Sequence, residues 1–185
     1  MTTAIGEKLL SAEDYFALPD DGCHKELVRG RLVTMNMPGF EHGVVCGNVY
    51  FVLREFVSAR DLGHVVCNDT GVLTERDPDT VRGADVAYYS YDRVPRGQRP
   101  TGYAGVSPEL VIEVLSPDDR WAKVLRKVSE YLEAGVLVVC VVSPGDRRLF
   151  VYRPDSADRE FREPDELTLP ELSPDFRVPV RRLFE

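Results

Sequence analysis

The chain has 185 residues, 43% of them apolar and 29% charged, which fits one domain that buries roughly 70% of its unfolded surface without staples. Its longest unbroken apolar run, Val136 to Val142, has seven residues, far short of the roughly 20 that a membrane helix needs. Met1 to Leu10 shows no basic, apolar and cleavage segments of a signal peptide, and 23 basic against 31 acidic residues give a net charge of −8, which disfavours broad wrapping of nucleic acid. A cytoplasmic protein with no membrane partner is therefore expected, with a single domain over 1–185. The charge total leaves room for a local basic cleft, and Arg120 to Lys127 holds four cations and no acid.

The four cysteines, Cys23, Cys46, Cys67 and Cys140, form no C-x-x-C pair, so structural zinc is disfavoured and reduced, buried thiols are expected. With three histidines, His24, His42 and His64, a clustered His-based metal site is nearly excluded.

In chain order, Ser11-Ala12-Glu13-Asp14 opens a short capped helix closed by Pro19. Lys25 to Arg29 and Arg31 to Met35 flank Gly30 as a hairpin. Glu41 to Arg60 carries apolar residues at helical spacing, with Gly43 and Gly47 interrupting its first turns. Val65 to Leu73 and Ala84 to Tyr89 read as strands around a Pro-Asp turn, and Leu110 to Leu115 as a buried strand. The helix Asp119 to Ala134 stops at Gly135. With Trp121 at zero, its apolar residues Val124, Leu125, Val128, Tyr131 and Leu132 fall between about 280° and 40°. Val136 to Val142 and Leu149 to Arg153 close the series as strands around Pro144-Gly145-Asp146. This order suits an α/β fold, a mixed sheet with flanking helices.

The anomaly is Glu113 inside Leu110-Val111-Ile112-Glu113-Val114-Leu115, because a charge in a buried strand costs several kcal/mol unless paired or metal-bound. Asp85 opens the other apolar strand. Two carboxylates on neighbouring strands can share a hard divalent cation such as magnesium. On the helical wheel Lys127 lies at about 240°, beside the Tyr131 edge of the apolar stripe, whereas Lys123 at about 200° points outward. Structural readings also fit: Glu113 at a solvent edge or paired with an arginine, Asp85 as a strand-initiating turn residue, and Lys127 as a snorkelling cover for the core.

Pro108-Glu109-Leu110-Val111-Ile112-Glu113-Val114-Leu115-Ser116-Pro117, followed by Lys127-x-x-x-Tyr131-x-x-x-Gly135-Val136, resembles the Uma-type restriction-endonuclease-like family of the PD-(D/E)XK superfamily. The likeness extends over Glu26 to Val33, Met37-Pro38-Gly39 with His42, Ala84-Asp85-Val86, Tyr152-Arg153 and Leu183-Phe184, nearly the whole chain. It implies a restriction-endonuclease-like mixed central β-sheet flanked by helices, Asp85 and Glu113 as metal ligands, Lys127 as catalytic cation and Glu26 as accessory acid. The chain departs from the pattern in three places: Ala84 replaces the usual proline, Leu115 stands where the superfamily has lysine, and Ser143-Pro144 replaces Asp-Pro.

The function this implies is a Mg²⁺-dependent endonuclease acting on DNA phosphodiester bonds, with Mn²⁺ as a substitute ion. Arg82, Arg120 and Arg126 are candidate phosphate contacts, and His42 can approach the cleft from the long helix, with a capping or core role as its plain alternative. Glu26 paired with Arg29 or Arg31 is the plain alternative there. A noncatalytic nucleic-acid- or partner-binding module on the same fold is the competing reading. A glycosidase using Asp85 and Glu113 is weaker, because Trp121 is the sole tryptophan. A homodimer aided by the apolar stretch Phe176 to Phe184 is a further expectation.

Overall fold

The structure, a computed structural model, describes residues 9–185; residues 1–8, most of the stretch read for a leader, lie outside the described residues. Ser11 caps α1 (Ala12–Phe16) in a reciprocal capping box with Asp14. β1 (Lys25–Val28) and β2 (Arg31–Thr34) form the expected hairpin, turned by Arg29 and Gly30 at φ of 49° and 76°. α2 (Phe40–Arg60) runs unbroken through Gly43 and Gly47, where a side chain would meet only open space. β3 (Gly63–Glu75) and β4 (Thr80–Ser90) make a hairpin longer than the sequence suggested. β5 (Leu110–Val114), α3 (Trp121–Glu133) and β6 (Val138–Ser143) then form a β-α-β unit whose two strands are parallel. β7 (Arg148–Tyr152) and β8 (Arg159–Arg162) extend the sheet antiparallel. No helix among the described residues is long and apolar enough to cross a membrane.

The eight-stranded mixed sheet runs β2-β1-β4-β5-β6-β7-β8, with β3 on the other edge of β4. Val86, Tyr88, Leu110, Ile112 and Val114 face a core shared with α2, and Ala87, Tyr89, Val111, Val139 and Val141 face a second core under α3. This is the expected mixed sheet flanked by helices.

Three expectations need correction. The α3 stripe is narrower than its wheel: Val124, Val128 and Tyr131 are buried, but Leu125 is 42% and Trp121 40% exposed, the indole lying edge-on to Phe150 at 4.9 Å. Of the cysteines only Cys140 is buried; Cys23 and Cys67 are exposed and Cys46 half-buried, all as free thiols. The stretch Phe176 to Phe184 is committed to its own chain. It supplies β10 (Arg177–Pro179), paired with β9 (Glu166–Thr168), and a 3₁₀ turn at Val180–Leu183, and its Phe176, Val178, Val180 and Leu183 are buried against the α2 core.

The long strand β4 creates the feature that positions the site. β3 occupies one of its edges throughout. On the other edge β1 meets it at Leu27↔Val81 and β5 at Val86↔Ile112. On that edge residues 82–85, between the two pairings, make no ladder pairing of their own, and the sheet parts there.

Candidate active site

Glu26, Asp85, Glu113 and Lys127 gather at this parting. Extending the β4/β5 register by one pair sets Asp85 opposite Glu113, and strand alternation turns Glu113 to the α3 face with Val111. The two carboxylates repel, and Asp85 helps raise the Glu113 carboxyl. Both strand ends use carboxylates in place of backbone partners. Gly83 N–H donates to Glu26 Oε1 at 3.2 Å, and Val114 N–H donates to Asp85 Oδ2 at 2.7 Å.

Lys127 enters from α3. Its Nζ lies 2.8 Å from Glu26 Oε1 and 3.2 Å from Glu113 Oε2, whereas Lys123, one turn earlier, is exposed. The wheel reading of the two lysines therefore holds. Tyr131, one turn beyond Lys127, donates its hydroxyl to Glu113 Oε1 at 2.8 Å, so both Glu113 oxygens have partners. Burial pushes the Glu113 carboxyl up to about 7, against the pull of the Lys127 ammonium. Burial works against the charge on Lys127 too, but Glu113 and Glu26 outweigh it and hold the amine above its usual range.

Glu26 is 2% exposed and does not pair with Arg29 or Arg31; it faces inward to Lys127 and Arg82. Arg82 N–H groups donate to Glu26 Oε2 at 2.7 Å and to both Glu130 oxygens at 2.6 and 2.9 Å. Burial alone would raise the Glu26 carboxyl, and the two cations reverse that and lower it. Arg82 is thus corrected from phosphate contact to buried tie: the residue is 7% exposed and its guanidinium is consumed by two carboxylates. Arg120, at the N-cap of α3, and Arg126 are exposed.

His42, near the start of α2, reaches the parting from the opposite face. Its Nε2 stands 3.4 Å from Asp85 Oδ1, and that bond raises the imidazole above its ordinary value despite burial. Cys46, one turn on, places Sγ 3.4 Å from His42 Nδ1. No cluster of histidines forms among the described residues, but His42, Cys46 and Asp85 bring one nitrogen, one sulfur and one carboxylate oxygen within 4.8 Å of one another.

Sequence reasoning missed two further participants. Asp69 sits in a β-bulge of β3, where the register shifts between Cys67 and Thr70 and Asn68 and Asp69 both adopt positive φ, 67° and 53°. Burial and the neighbouring Asp85 raise its carboxyl, and His24 Nε2 lies 3.7 Å away. The signal was an Asn-Asp pair, the non-glycine types most tolerant of that conformation, inside an otherwise strand-like run. Glu130 was the second, three residues past Lys127 and so on a neighbouring face of α3.

The arrangement can hold a hard divalent cation. Asp85 and Glu113 offer carboxylate oxygens, the donors such ions prefer, and the upward shifts of Glu113 and Asp69, due first to burial and then to the neighbouring Asp85, mark carboxylates whose charge a bound cation would offset.

Residues 12–181 match the family described as "Uma2: Putative restriction endonuclease". Among solved structures, "a putative nuclease belonging to DUF820" from Anabaena variabilis superposes with a TM-score of 0.80 at 21% identity, over 95% of this chain and 97% of that one. At that identity the likeness establishes a shared fold. No curated protein matches the chain.

Proposed function

Since the chain belongs to the Uma2 family of putative restriction endonucleases, we propose that it is a Mg²⁺-dependent endonuclease hydrolysing DNA phosphodiester bonds, with Mn²⁺ able to replace Mg²⁺. The observation that carries this reading is Glu113: a nearly buried acid beside a second acid, with a lysine at 3.2 Å, in a family of nucleases.

Asp85 and Glu113 would hold the cation, which when bound supplies Lewis-acid polarisation of the phosphate and an acidified water. Tyr131 fixes the rotamer of Glu113 by its hydrogen bond. Lys127 stabilises the negative charge that develops on the phosphate oxygens during attack. Glu26, tied down by Arg82 and Gly83, holds the Lys127 amine in the cleft and keeps it protonated, and acts as the accessory acid. His42 orients Asp85 from the α2 side. Arg120 and Arg126 contact the phosphate backbone, which needs cations but carries no sequence information.

Plasmid DNA incubated with the protein and Mg²⁺ or Mn²⁺ tests the proposal. Wild type is expected to nick or cut, Glu113→Gln and Lys127→Ala to lose at least about a hundredfold in rate, and Lys123→Ala to stay near wild type. Glu113→Gln is also expected to weaken Mn²⁺ binding in isothermal titration. No cleavage of single-stranded, duplex or branched DNA by wild type, with equal Mn²⁺ binding by both proteins, would favour a noncatalytic module instead.

A further inference from the structure

Magnesium takes oxygen donors, and an imidazole and a thiol converging on the same carboxylate add nothing to a magnesium site. Yet His42 and Cys46 are set one turn apart on α2, so that a rigid helix presents nitrogen and sulfur to Asp85 together. Zinc bonds of about 2.0–2.3 Å imply tetrahedral edges between ligand atoms of about 3.3–3.8 Å. His42 Nε2 is 3.4 Å from Asp85 Oδ1, one edge of such a tetrahedron, while Cys46 Sγ lies beside the ring, 3.4 Å from Nδ1 and 3.8 Å from Nε2, so a turn of the His42 or Cys46 side chain completes the second. The third pair, sulfur and carboxylate oxygen, lies within 4.8 Å, closable by a small side-chain adjustment.

We propose that His42, Cys46 and Asp85 form a binding site for a borderline-soft divalent cation of the zinc class, with its fourth position open to the cleft. On binding, Cys46 loses its thiol proton to solvent and coordinates as thiolate, His42 ligates through Nε2, and Asp85 contributes one oxygen. Three protein ligands with one open position is the pattern of accessible zinc sites. Because Asp85 cannot serve two cations in full, zinc at this site withdraws a ligand from the hard-cation site and inhibits cleavage; this inhibitory consequence alone rests on the nuclease reading.

Cobalt titrated into the full-length protein under reducing conditions reads the site without reference to activity. The expected result is a thiolate-to-cobalt charge-transfer band with the intense visible bands of tetrahedral coordination, reversed by added Zn²⁺. Cys46→Ser is expected to abolish the charge-transfer band, and His42→Gln to keep a sulfur band while weakening cobalt affinity at least about tenfold. Far-ultraviolet circular dichroism checks that both variants fold. Absence of the band in wild type, or its persistence in Cys46→Ser through Cys23, Cys67 or Cys140, overturns the site. In a parallel cleavage assay with Mg²⁺, half-inhibition by Zn²⁺ is expected to need about tenfold more zinc in Cys46→Ser than in wild type, and equal inhibition overturns the competition. If wild type cleaves nothing, the nuclease reading fails while the cobalt spectrum still decides the site.

Discussion

Glu113 is 8% exposed within a strand whose other four residues are apolar and buried. Burial pushes its carboxyl up to about 7 in the folded protein from an ordinary 4.5. Between those values the native state keeps a proton that the unfolded chain has released, so without metal the folded protein loses stability as pH rises from about 4.5 to 7. Glu113→Gln removes that dependence. Stranding a buried partner usually costs about 3–5 kcal/mol, but Lys127 keeps Glu26 at 2.8 Å and is not stranded. In chelator, the variant is therefore expected to exceed wild type by on the order of 1–3 kcal/mol at pH 8 and to lose most of that margin at pH 5. Urea denaturation at the two pH values measures it. A variant several kcal/mol weaker at pH 8 would mean that the Glu113–Lys127 pair is net stabilising.

Of the elements, α3 does most to connect structure and substrate. Its inner face delivers Lys127, Glu130 and Tyr131 to the parting in the sheet, while Arg120, Lys123 and Arg126 lie exposed. Each phosphate neutralised releases counterions and adds about 0.9 to the slope of log affinity against log salt. Arg120→Gln with Arg126→Gln is expected to lower that slope by about 1.8 and to weaken binding of unrelated duplexes alike; fluorescence anisotropy across a salt series checks both. The helix was legible because its apolar period was strong and Gly135, at φ of 93°, ends it. Glu113 and Lys127 were legible as a misplaced charge and a wheel position. Asp69 and Cys46 were not: Asp69 reaches the site through a bulge defined only by pairing with β4, and Cys46 matters only once α2 lies against Asp85. Arg82 looked like a surface cation because its partners Glu26 and Glu130 are 56 and 48 residues distant.

At the scale of the molecule, the segment after Arg153 completes the α2 core. Phe161, Leu167, Leu169, Leu172, Phe176, Val178, Val180 and Leu183 are all buried in it. These strands are of three or four residues, interrupted by proline and acidic residues, too short for periodicity to identify. At about 1.5–3 kcal/mol per buried side chain, the eight contribute roughly 12–24 kcal/mol of burial free energy, more than the 5–15 kcal/mol net stability of a typical domain. A chain ending at Arg153 is expected to show no cooperative thermal transition and to bind a hydrophobic dye, which calorimetry and dye fluorescence would reveal.

The two carboxylates that fill the parting of the sheet also make it observable from within. Val114 N–H donates to Asp85 and Gly83 N–H to Glu26, so two backbone amides each carry a resonance tuned by one acidic side chain. In a nitrogen-15 spectrum, adding Mg²⁺ should move the Val114 peak as charge is drawn from Asp85. A matching shift at Gly83 would identify Glu26 as a participant in cation binding, and a stationary Gly83 would confine it to holding Lys127. The protein thus carries its own pair of spectators, able to separate ligand from support without a single substitution.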